Sequence, residues 1–417
     1  MSVETGSRYR VHPALRSMPI DASRVEISAP FGTKRLRFAR EIGARLERLS
    51  IEPSFARETL VKAVGTVIFE ALVKYHFVLP EDASPALIGG LCVPTAQPAG
   101  QPLSVFDIET LCAGDAVLLH APIQTTANSS VSVAAGGQRV RSQLAQSLRH
   151  PLGGDGQGVV IDLDFGAILH TKNLRLFDLG DVSFRPSMDS AQDVGERLRY
   201  VCRRIVESGG RPIVLGGDHA QAFYSIDALA DRYPHLGVLQ FDAHPDLYAM
   251  GAPCDAELNH ANVMHWIRRM KHVASIWQVG VRDFFHQPTL NLRCEADTKI
   301  QSLSAFEAET QGYGRLLAQM DRSLPWFISF DVDALSHADF PQTTTPVLGG
   351  LSFYRLLACF EQLLSTFDIV GMEFVEIGDA DHGAHDAAAV AARLVSRYLF
   401  HLGGAGPHGS FVYTPAP

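Results

Sequence analysis

Three clusters of acidic and histidine residues are the part of this sequence best suited to bind metal ions. They read GGDH from residue 216, DAHPD from residue 242 and DVD from residue 331. The candidate ligands in them are four carboxylates and two imidazoles, namely His219, Asp242, His244, Asp246, Asp331 and Asp333. Such a hard, anionic set suits Mn²⁺, with Ni²⁺, Co²⁺, Zn²⁺ and Fe²⁺ as alternatives. Six ligands exceed the need of one tetrahedral ion, but they serve two ions roughly 3.5 Å apart that share carboxylates. The sequence therefore predicts a binuclear site.

Each cluster follows a short apolar run that is typical of a buried strand. The runs cover residues 213–215, 236–241 and 327–330, and Gly or Pro residues bound them. Their composition predicts interior strands of a parallel sheet, and binding sites of open α/β sheets usually lie at the carboxyl ends of such strands. Along an extended segment, residues 242, 244 and 246 would alternate and share one face, and residues 331 and 333 would do the same. We therefore expect the six side chains to converge on one cavity.

Strand and helix patterns alternate from residue 112 onward. Further strands are predicted at 117–119 and 159–163, and residues 191–208 form an amphipathic helical pattern that ends at Gly209-Gly210. A last helix is predicted at 384–400. This βαβ rhythm predicts an α/β fold of three layers, with a mainly parallel sheet between two layers of helices.

The first 110 residues have a different pattern. Helical periodicity covers residues 37–49 and 57–77, with Pro53 between them. We predict a small, mostly helical or winged-helix-like accessory module at 1–110, a hydrolase domain at 111–405 and a tail at 406–417. The module either packs against its neighbours or recruits substrate, and the sequence leaves both roles open.

Four further motifs carry a resemblance to a known family. They are FDLGD from residue 177, GVRD from residue 280, PQTTTPVLGGLS from residue 341 and VGMEFVEI from residue 370. With the three clusters, they make residues 112–405 resemble the ureohydrolases, which include the arginases and agmatinases. The resemblance implies an arginase-like fold. It also implies a hydrolase that cleaves a C–N bond of a guanidino group and releases urea and an amine.

The same resemblance implies roles for individual residues. Asp242 and Asp331 would bridge two Mn²⁺ ions; His219 and Asp246 would complete one metal site, and His244 and Asp333 the other. A hydroxide held by the two ions would attack the guanidino carbon, and Asp246 would move the proton. Glu376 would bind the guanidinium as a carboxylate partner, and His260 would serve in proton transfer. Asp178, Asp181, Asp218 and Asp283 are expected to organise turns.

Departures from the family pattern bear on the substrate. Tyr248 stands where arginases have an asparagine, and Phe284-Phe285 stands where they have a second aspartate for the α-amino group. Ser336-His337 and Gln342 also differ from the usual residues. These differences disfavour free arginine and favour a modified arginine, an arginine within a peptide or natural product, or another guanidino compound. Two alternatives stay open: hydrolysis of another amidine or amide, formimidoyl or deacetylase-like, and a non-catalytic binding protein.

Composition narrows the class of partner. The formal net charge of −9 argues against nucleic acid as a partner. No apolar run reaches the roughly 18 residues that suggest a membrane span, and the first 30 residues contain no secretory apolar segment. We therefore expect no membrane partner and a cytoplasmic location. The six scattered cysteines are expected to be reduced, without disulfides or a metal. The family resemblance further implies a homo-oligomer.

Overall fold

The computed structural model of the 417-residue chain describes most of the sequence. The described residues are 8–12, 15–28, 35–50, 54–81, 83, 87, 90–125, 132–148, 159–170, 173, 175–185, 188–248, 257–284, 299–338, 340, 343, 345–378 and 386–404. The predicted tail at 406–417 therefore lies outside them, as do Cys254, Cys294, Phe285 and Gln342.

Eighteen strands and eleven α-helices, with short 3₁₀ helices between them, form the described part. The strands are β1 (Arg8–Val11), β2 (Arg16–Pro19), β3 (Arg24–Ser28), β4 (Arg35–Ala39), β5 (Phe55–Ala56), β6 (Val78–Pro80), β7 (Cys92–Val93), β8 (Gln101–Pro102), β9 (Ala116–His120), β10 (Val159–Asp162), β11 (Ala167–His170), β12 (Leu176–Val182), β13 (Arg211–Leu215), β14 (Leu236–Phe241), β15 (Val273–Val279), β16 (Ile300–Leu303), β17 (Pro325–Asp331) and β18 (Asp368–Val375). The helices are α1 (Arg40–Leu49), α2 (Arg57–Val64), α3 (Thr66–Lys74), α4 (Gly136–Leu148), α5 (Ala191–Glu207), α6 (Gln221–Asp227), α7 (Val263–Ile267), α8 (Ala305–Gln311), α9 (Gly314–Gln319), α10 (Phe353–Thr366) and α11 (Ala387–Leu402).

A ten-stranded sheet carries the fold. Its order is β16-β15-β14-β17-β18-β13-β9-β12-β7, with β8 also paired to β12. Every described pairing in it is parallel except that of β7 with β12. Because alternate residues of a strand face opposite sides, Leu118 packs on the side of α4, α10 and α11, whereas Val117 and Leu119 pack on the side of α5, α6 and α7. The three-layer α/β architecture with a mainly parallel sheet is thus confirmed.

Helix α5 shows how the sequence sets these layers. Ser190 and Asp193 form a reciprocal capping box at its start, which satisfies backbone N–H groups of the first turn. Its buried face includes Val194, Leu198 and Ile205, as the predicted periodicity required. The helix ends beside Gly209 at φ 85°, so this predicted helix is confirmed within one residue.

The N-terminal part contains strands that the sequence pattern did not predict. Helix α1 lies within the first predicted helix, and the second is divided into α2 and α3 at Gly65. Six short strands accompany these three helices, in two sheets ordered β5-β1-β6 and β2-β3-β4. Side chains such as Ile27, Leu46 and Phe69 form a separate core there. The module is therefore mixed α and β.

Two expectations about sheet membership need correction. Strand β10, predicted at 159–163, pairs only with β11 in a hairpin among the described residues and not with the main sheet. Strands β7 and β8 pair with β12, so the main sheet includes residues that precede the predicted boundary at residue 110. The described part contains no helix that is both long enough and apolar enough to cross a membrane. Its four cysteines, Cys92, Cys112, Cys202 and Cys359, are free thiols.

Candidate metal centre

The candidate ligands lie at the carboxyl ends of three strands of one sheet. Strands β14 and β17 are neighbours, and β18 separates β17 from β13. After β13 the chain turns sharply at Gly217, where φ is 72° and a Cβ atom would lie 2.6 Å from the carbonyl oxygen of Ile123. Only glycine fits this position without strain. The turn places His219 beside β17, where its Nε2 lies 2.9 Å from the hydroxyl oxygen of Ser329.

One half of the centre surrounds the imidazole of His219. Its Nδ1 lies 3.0 Å from Oδ2 of Asp242, 2.9 Å from Oδ2 of Asp246 and 3.5 Å from Oδ2 of Asp331. His219, Asp242 and Asp246 form a group whose ligand atoms lie within 4.8 Å of one another, and all three side chains are buried.

The other half surrounds the imidazole of His244. Its Nδ1 lies 2.8 Å from Oδ2 of Asp333 and 3.6 Å from Oδ1 of Asp242. These three residues form a second group with the same spacing limit. The two groups share Asp242, which turns one oxygen to each imidazole. The structure therefore brings all six candidate ligands together.

The ligands converge by a different route from the predicted one. Strand β14 ends at Phe241, and Asp246 has a left-handed backbone with φ 51°. Asp333 lies in a 3₁₀ turn at Val332–Ala334, where its N–H donates to Oδ1 of Asp331 at 2.8 Å. Regular alternation along extended chain is thus the wrong explanation. Tight turns after the strands aim the side chains instead.

Burial and mutual repulsion control the charges of the metal-free centre. Burial, followed by the nearby charges of Asp333 and Asp242, raises the pKa of Asp331 well above its usual range. Burial and the charge of Asp242 raise the pKa of Asp246 to about 7. Burial opposes protonation of His244, but the carboxylates of Asp242 and Asp333 outweigh it and raise its pKa to about 11.

The donor set fits a pair of divalent cations. Nδ1 of His219 is buried and makes no hydrogen bond of standard geometry, although three carboxylates face it. Without metal, those carboxylates raise the pKa of His219 well above its usual range despite its burial. Protons therefore supply the positive charge that the carboxylates require. Divalent cations supply the same charge and compete for these positions.

A cavity of about 220 Å³ opens above the ligands. It is lined by His219, His244, Asp246, Tyr248, His260, Ala261, Asp331, Thr345 and Glu376. Both other residues singled out for catalysis, His260 and Glu376, thus face the same space. Oε1 of Glu376 accepts a hydrogen bond from the backbone N–H of His219 at 2.9 Å, and its own backbone is left-handed with φ 60°. Burial lowers the pKa of His260.

Two other acidic residues of the motifs contact backbone, hydroxyl or arginine groups. Asp178 accepts from the N–H of Gly180 at 2.9 Å and pairs with Arg141 at 3.1 Å, and Asp218 accepts from the backbone and hydroxyl of Thr125. Asp218, which also accepts from the N–H of Ala220 at 3.1 Å, thus fixes the turn after β13 as expected, whereas Asp178 lies inside strand β12. Among the departures from the family pattern, Tyr248 lines the cavity and Phe284 is exposed.

Sequence reasoning missed polar residues beneath the centre. Gln240, Ser329 and Glu373 are fully buried within β14, β17 and β18. A signal existed, because each is a lone polar residue inside an otherwise apolar run, LGVLQF, FISF or VGMEFV.

Comparisons with known proteins agree with the motifs. The model of the arginase family matches residues 114–401. The agmatinase of Edwardsiella ictaluri is 32% identical over 232 residues, which are 54% of this chain and 71% of that protein.

Solved structures show the same fold. The formimidoylglutamase of Bacillus subtilis aligns with a TM-score of 0.60 at 17% identity, over 80% of this chain and 98% of its own. The proclavaminate amidino hydrolase of Streptomyces clavuligerus aligns with a TM-score of 0.58 at 20% identity, over 77% of this chain and 99% of its own.

Proposed function

The chain belongs to the arginase family, whose hydrolases cleave C–N bonds in guanidino and amidino groups, and on that basis we propose that it converts a guanidino compound other than free arginine to urea and an amine. One observation carries the proposal: six candidate ligands converge beneath a cavity that also contains the carboxylate of Glu376. A cationic, planar guanidinium is complementary to that cavity in charge.

We assign the six ligands to two Mn²⁺ ions. His219 and Asp246 would hold one ion, His244 and Asp333 would hold the other, and Asp242 and Asp331 would serve both. The contacts of Asp242 with both imidazoles support its shared role. When bound, two divalent ions make hydroxide available at neutral pH by lowering the pKa of water.

The protein residues position the substrate and move protons. Glu376 pairs with the guanidinium through its carboxylate, and the hydrogen bond from the N–H of His219 holds Oε1 in place. Asp246 accepts the proton of the nucleophile on a carboxylate oxygen. His260, which lines the same cavity, passes that proton from Asp246 to the departing amine nitrogen.

The cavity mouth supports a substrate other than free arginine. Tyr248 lines the cavity and is 46% exposed, so an aromatic ring replaces the amide that the arginase pattern places there. Phe284, 85% exposed, follows the GVRD motif where that pattern has an aspartate. A substrate with a free α-amino group thus loses polar partners. Agmatine, the substrate class named by the agmatinase relatives, heads the candidates, with modified and peptidyl arginines beside it.

We also propose that the N-terminal module, predicted at residues 1–110, is an accessory unit docked on the hydrolase domain. The hydroxyl of Tyr200 on α5 lies 3.2 Å from Nε2 of His76, and Arg204 on α5 pairs with Glu109 at 3.3 Å. These contacts support a packing role.

The test is urea release by the full-length, Mn²⁺-loaded protein. The panel is agmatine, guanidinobutyrate, arginine, N-hydroxyarginine, arginine-containing peptides and a formimidoyl compound. We expect urea from a non-arginine guanidino compound, abolished by Asp331→Asn and retained by Asp283→Asn, an exposed aspartate outside the cavity. Preference for free arginine would contradict the substrate assignment. Formamide release without urea would show hydrolysis of a formimidoyl group instead of a guanidino group. No product from any compound would contradict catalysis.

A further inference from the structure

A row of polar side chains crosses the main sheet beneath the candidate ligands. In order across β15, β14, β17 and β18, the paired residues are Gln278, Gln240, Ser329 and Glu373. None is more than 3% exposed. Interior strands of a parallel sheet are normally apolar throughout, and burial of polar groups costs free energy unless each finds a partner. A row of four therefore indicates a role beyond folding.

The row lies one step below the ligands on the same face of the sheet. Ser329 precedes Asp331 by two residues within β17, a spacing that places both side chains on one face of the strand, and Gln240 lies in β14 two residues before Asp242. Nε2 of Gln240 donates to Oδ2 of Asp242 at 2.7 Å, while its Oε1 accepts from Nε2 of Gln278 at 2.6 Å. The row thus contacts a ligand that both halves of the centre share.

Its other end contacts His219. The hydroxyl of Ser329 donates to Oε1 of Glu373 at 2.8 Å, and Nε2 of His219 lies 2.9 Å from the same hydroxyl oxygen. Because a hydroxyl has one proton and here gives it to the carboxylate, its oxygen must accept from Nε2–H of His219. In the neutral imidazole the proton is therefore on Nε2, and Nδ1 faces the carboxylates of the centre.

Glu373 also has partners on α6, which begins two residues after His219. Its Oε2 accepts from the hydroxyl of Ser225 at 3.0 Å and from Nε2 of Gln221 at 3.3 Å. One buried carboxylate thus joins β17 to the helix that follows the ligand. Ser329 and Ser225 donate to the same side chain, but only Ser329 contacts the imidazole.

We propose that Ser329 and Glu373 are positioning residues of the metal centre, which hold His219 in the Nε2–H form so that Nδ1 is presented to a divalent cation. The inference rests on the metal centre of the proposed function. Partners of this kind on the far nitrogen of a ligating histidine fix its tautomer and orientation, and their loss typically costs about 10- to 100-fold in metal affinity.

The experiment compares Ser329→Ala with Ser225→Ala in the full-length chain, with Mn²⁺ alone as the probe. Titration gives the number of bound ions and the Kd of each, and thermal unfolding of the metal-free proteins reports any loss of folding. For Ser329→Ala we expect about 10- to 100-fold weaker binding of one of two ions. Ser225→Ala removes a similar hydrogen bond from Glu373 and should leave both Kd values close to wild type.

The outcomes separate the inference from the proposed function. Equal Kd changes in both variants, or none in Ser329→Ala while wild type binds two ions, would overturn the positioning role alone. Failure of the wild-type protein to bind two ions would overturn the centre itself. Should Ser329→Ala not fold, Glu373→Gln keeps the side-chain shape and replaces the charged acceptor, and the same weakening of one ion is expected. Tight Mn²⁺ binding by Ser329→Thr, which retains the hydroxyl, would support the positioning role.

Discussion

The substitution Asp246→Asn should stabilise this protein without metal and should lose most of that gain when metal is present. In the metal-free protein, burial and the charge of Asp242 raise the pKa of Asp246 to about 7. The unfolded chain has the ordinary value near 3.9. At neutral pH the native state therefore holds a carboxyl group that would ionise freely once unfolded, which destabilises the fold.

The magnitude follows from the shift. A rise of about three pKa units corresponds to about 4 kcal/mol at pH 7, at about 1.4 kcal/mol per unit. The raised value means that this loss of stability is absent below pH 4, grows as pH rises from about 4 to 7, and stays constant above. An asparagine cannot ionise and tolerates the left-handed backbone of residue 246. We therefore expect Asp246→Asn to raise the free energy of unfolding of the chelator-treated protein by up to about 4 kcal/mol.

Metal offsets most of this gain without reversing it. An ion present at 100 times its Kd stabilises the native state by about 2.7 kcal/mol, and the variant loses a ligand of one ion. Thermal unfolding with Mn²⁺ and with EDTA, at pH 5 and pH 7, measures both effects. Asp283→Asn is the matched control, because Asp283 also has a left-handed backbone, φ 66°, but is exposed. A lower Tm of Asp246→Asn in EDTA at pH 7 would refute the argument that repulsion and burial dominate at this carboxylate.

Two further substitutions test the substrate contact and the module contact. Glu376→Gln can keep the hydrogen bond from the N–H of His219 but loses the charge. We expect about 10- to 100-fold lower kcat/KM, from the roughly 1.5–3 kcal/mol of a charged hydrogen bond, with the number of bound Mn²⁺ ions unchanged; unchanged kcat/KM would reject the contact. Burial lowers the pKa of His76 to about 4, so its contribution to stability is complete above pH 6.5 and is lost as pH falls toward 4, by about 2 kcal/mol at pH 5. His76→Asn, which suits the backbone φ of 58°, should show a smaller loss between pH 7 and pH 5 in urea denaturation, and an equal loss would exclude His76 as the cause.

Local patterns predicted the elements that have a strong pattern of apolar residues. The predicted strand at 236–241 has the observed bounds of β14, and the helix at 191–208 differs from α5 by one residue. Strand β14 is a continuous buried run and α5 has a strong helical period, and their final surroundings override neither pattern. The ligand clusters were recognisable for a similar reason, since Asp and His directly after apolar runs are unusual and functional.

The missed features depend on contacts between distant residues. Residues 35–39 alternate in burial as β4, but their Arg and Leu content also suits a helix, and only pairing with β3 decides the outcome. Strand β10 pairs with β11 across a four-residue turn, a choice of partner that its own sequence does not encode. The left-handed backbone of Asp246 and the row under the ligands likewise depend on several strands at once.

The backbone around the centre explains why metal loss need not disorder the site. Asp246 and Glu376 occupy left-handed conformations that cost non-glycine residues about 1–3 kcal/mol each. Hydrogen bonds impose them: the carbonyl of Asp246 accepts from the N–H of Met264 at 3.1 Å, and the N–H of Glu376 donates to the carbonyl of Gly217 at 3.0 Å. None of these contacts involves a metal ion. Contacts with α7, the Gly217 turn and the buried sheet therefore stabilise these strained conformations. The folded chain sets the directions of the ligands. The free energy of cation binding is then available for stability and chemistry and is not spent on assembling the site.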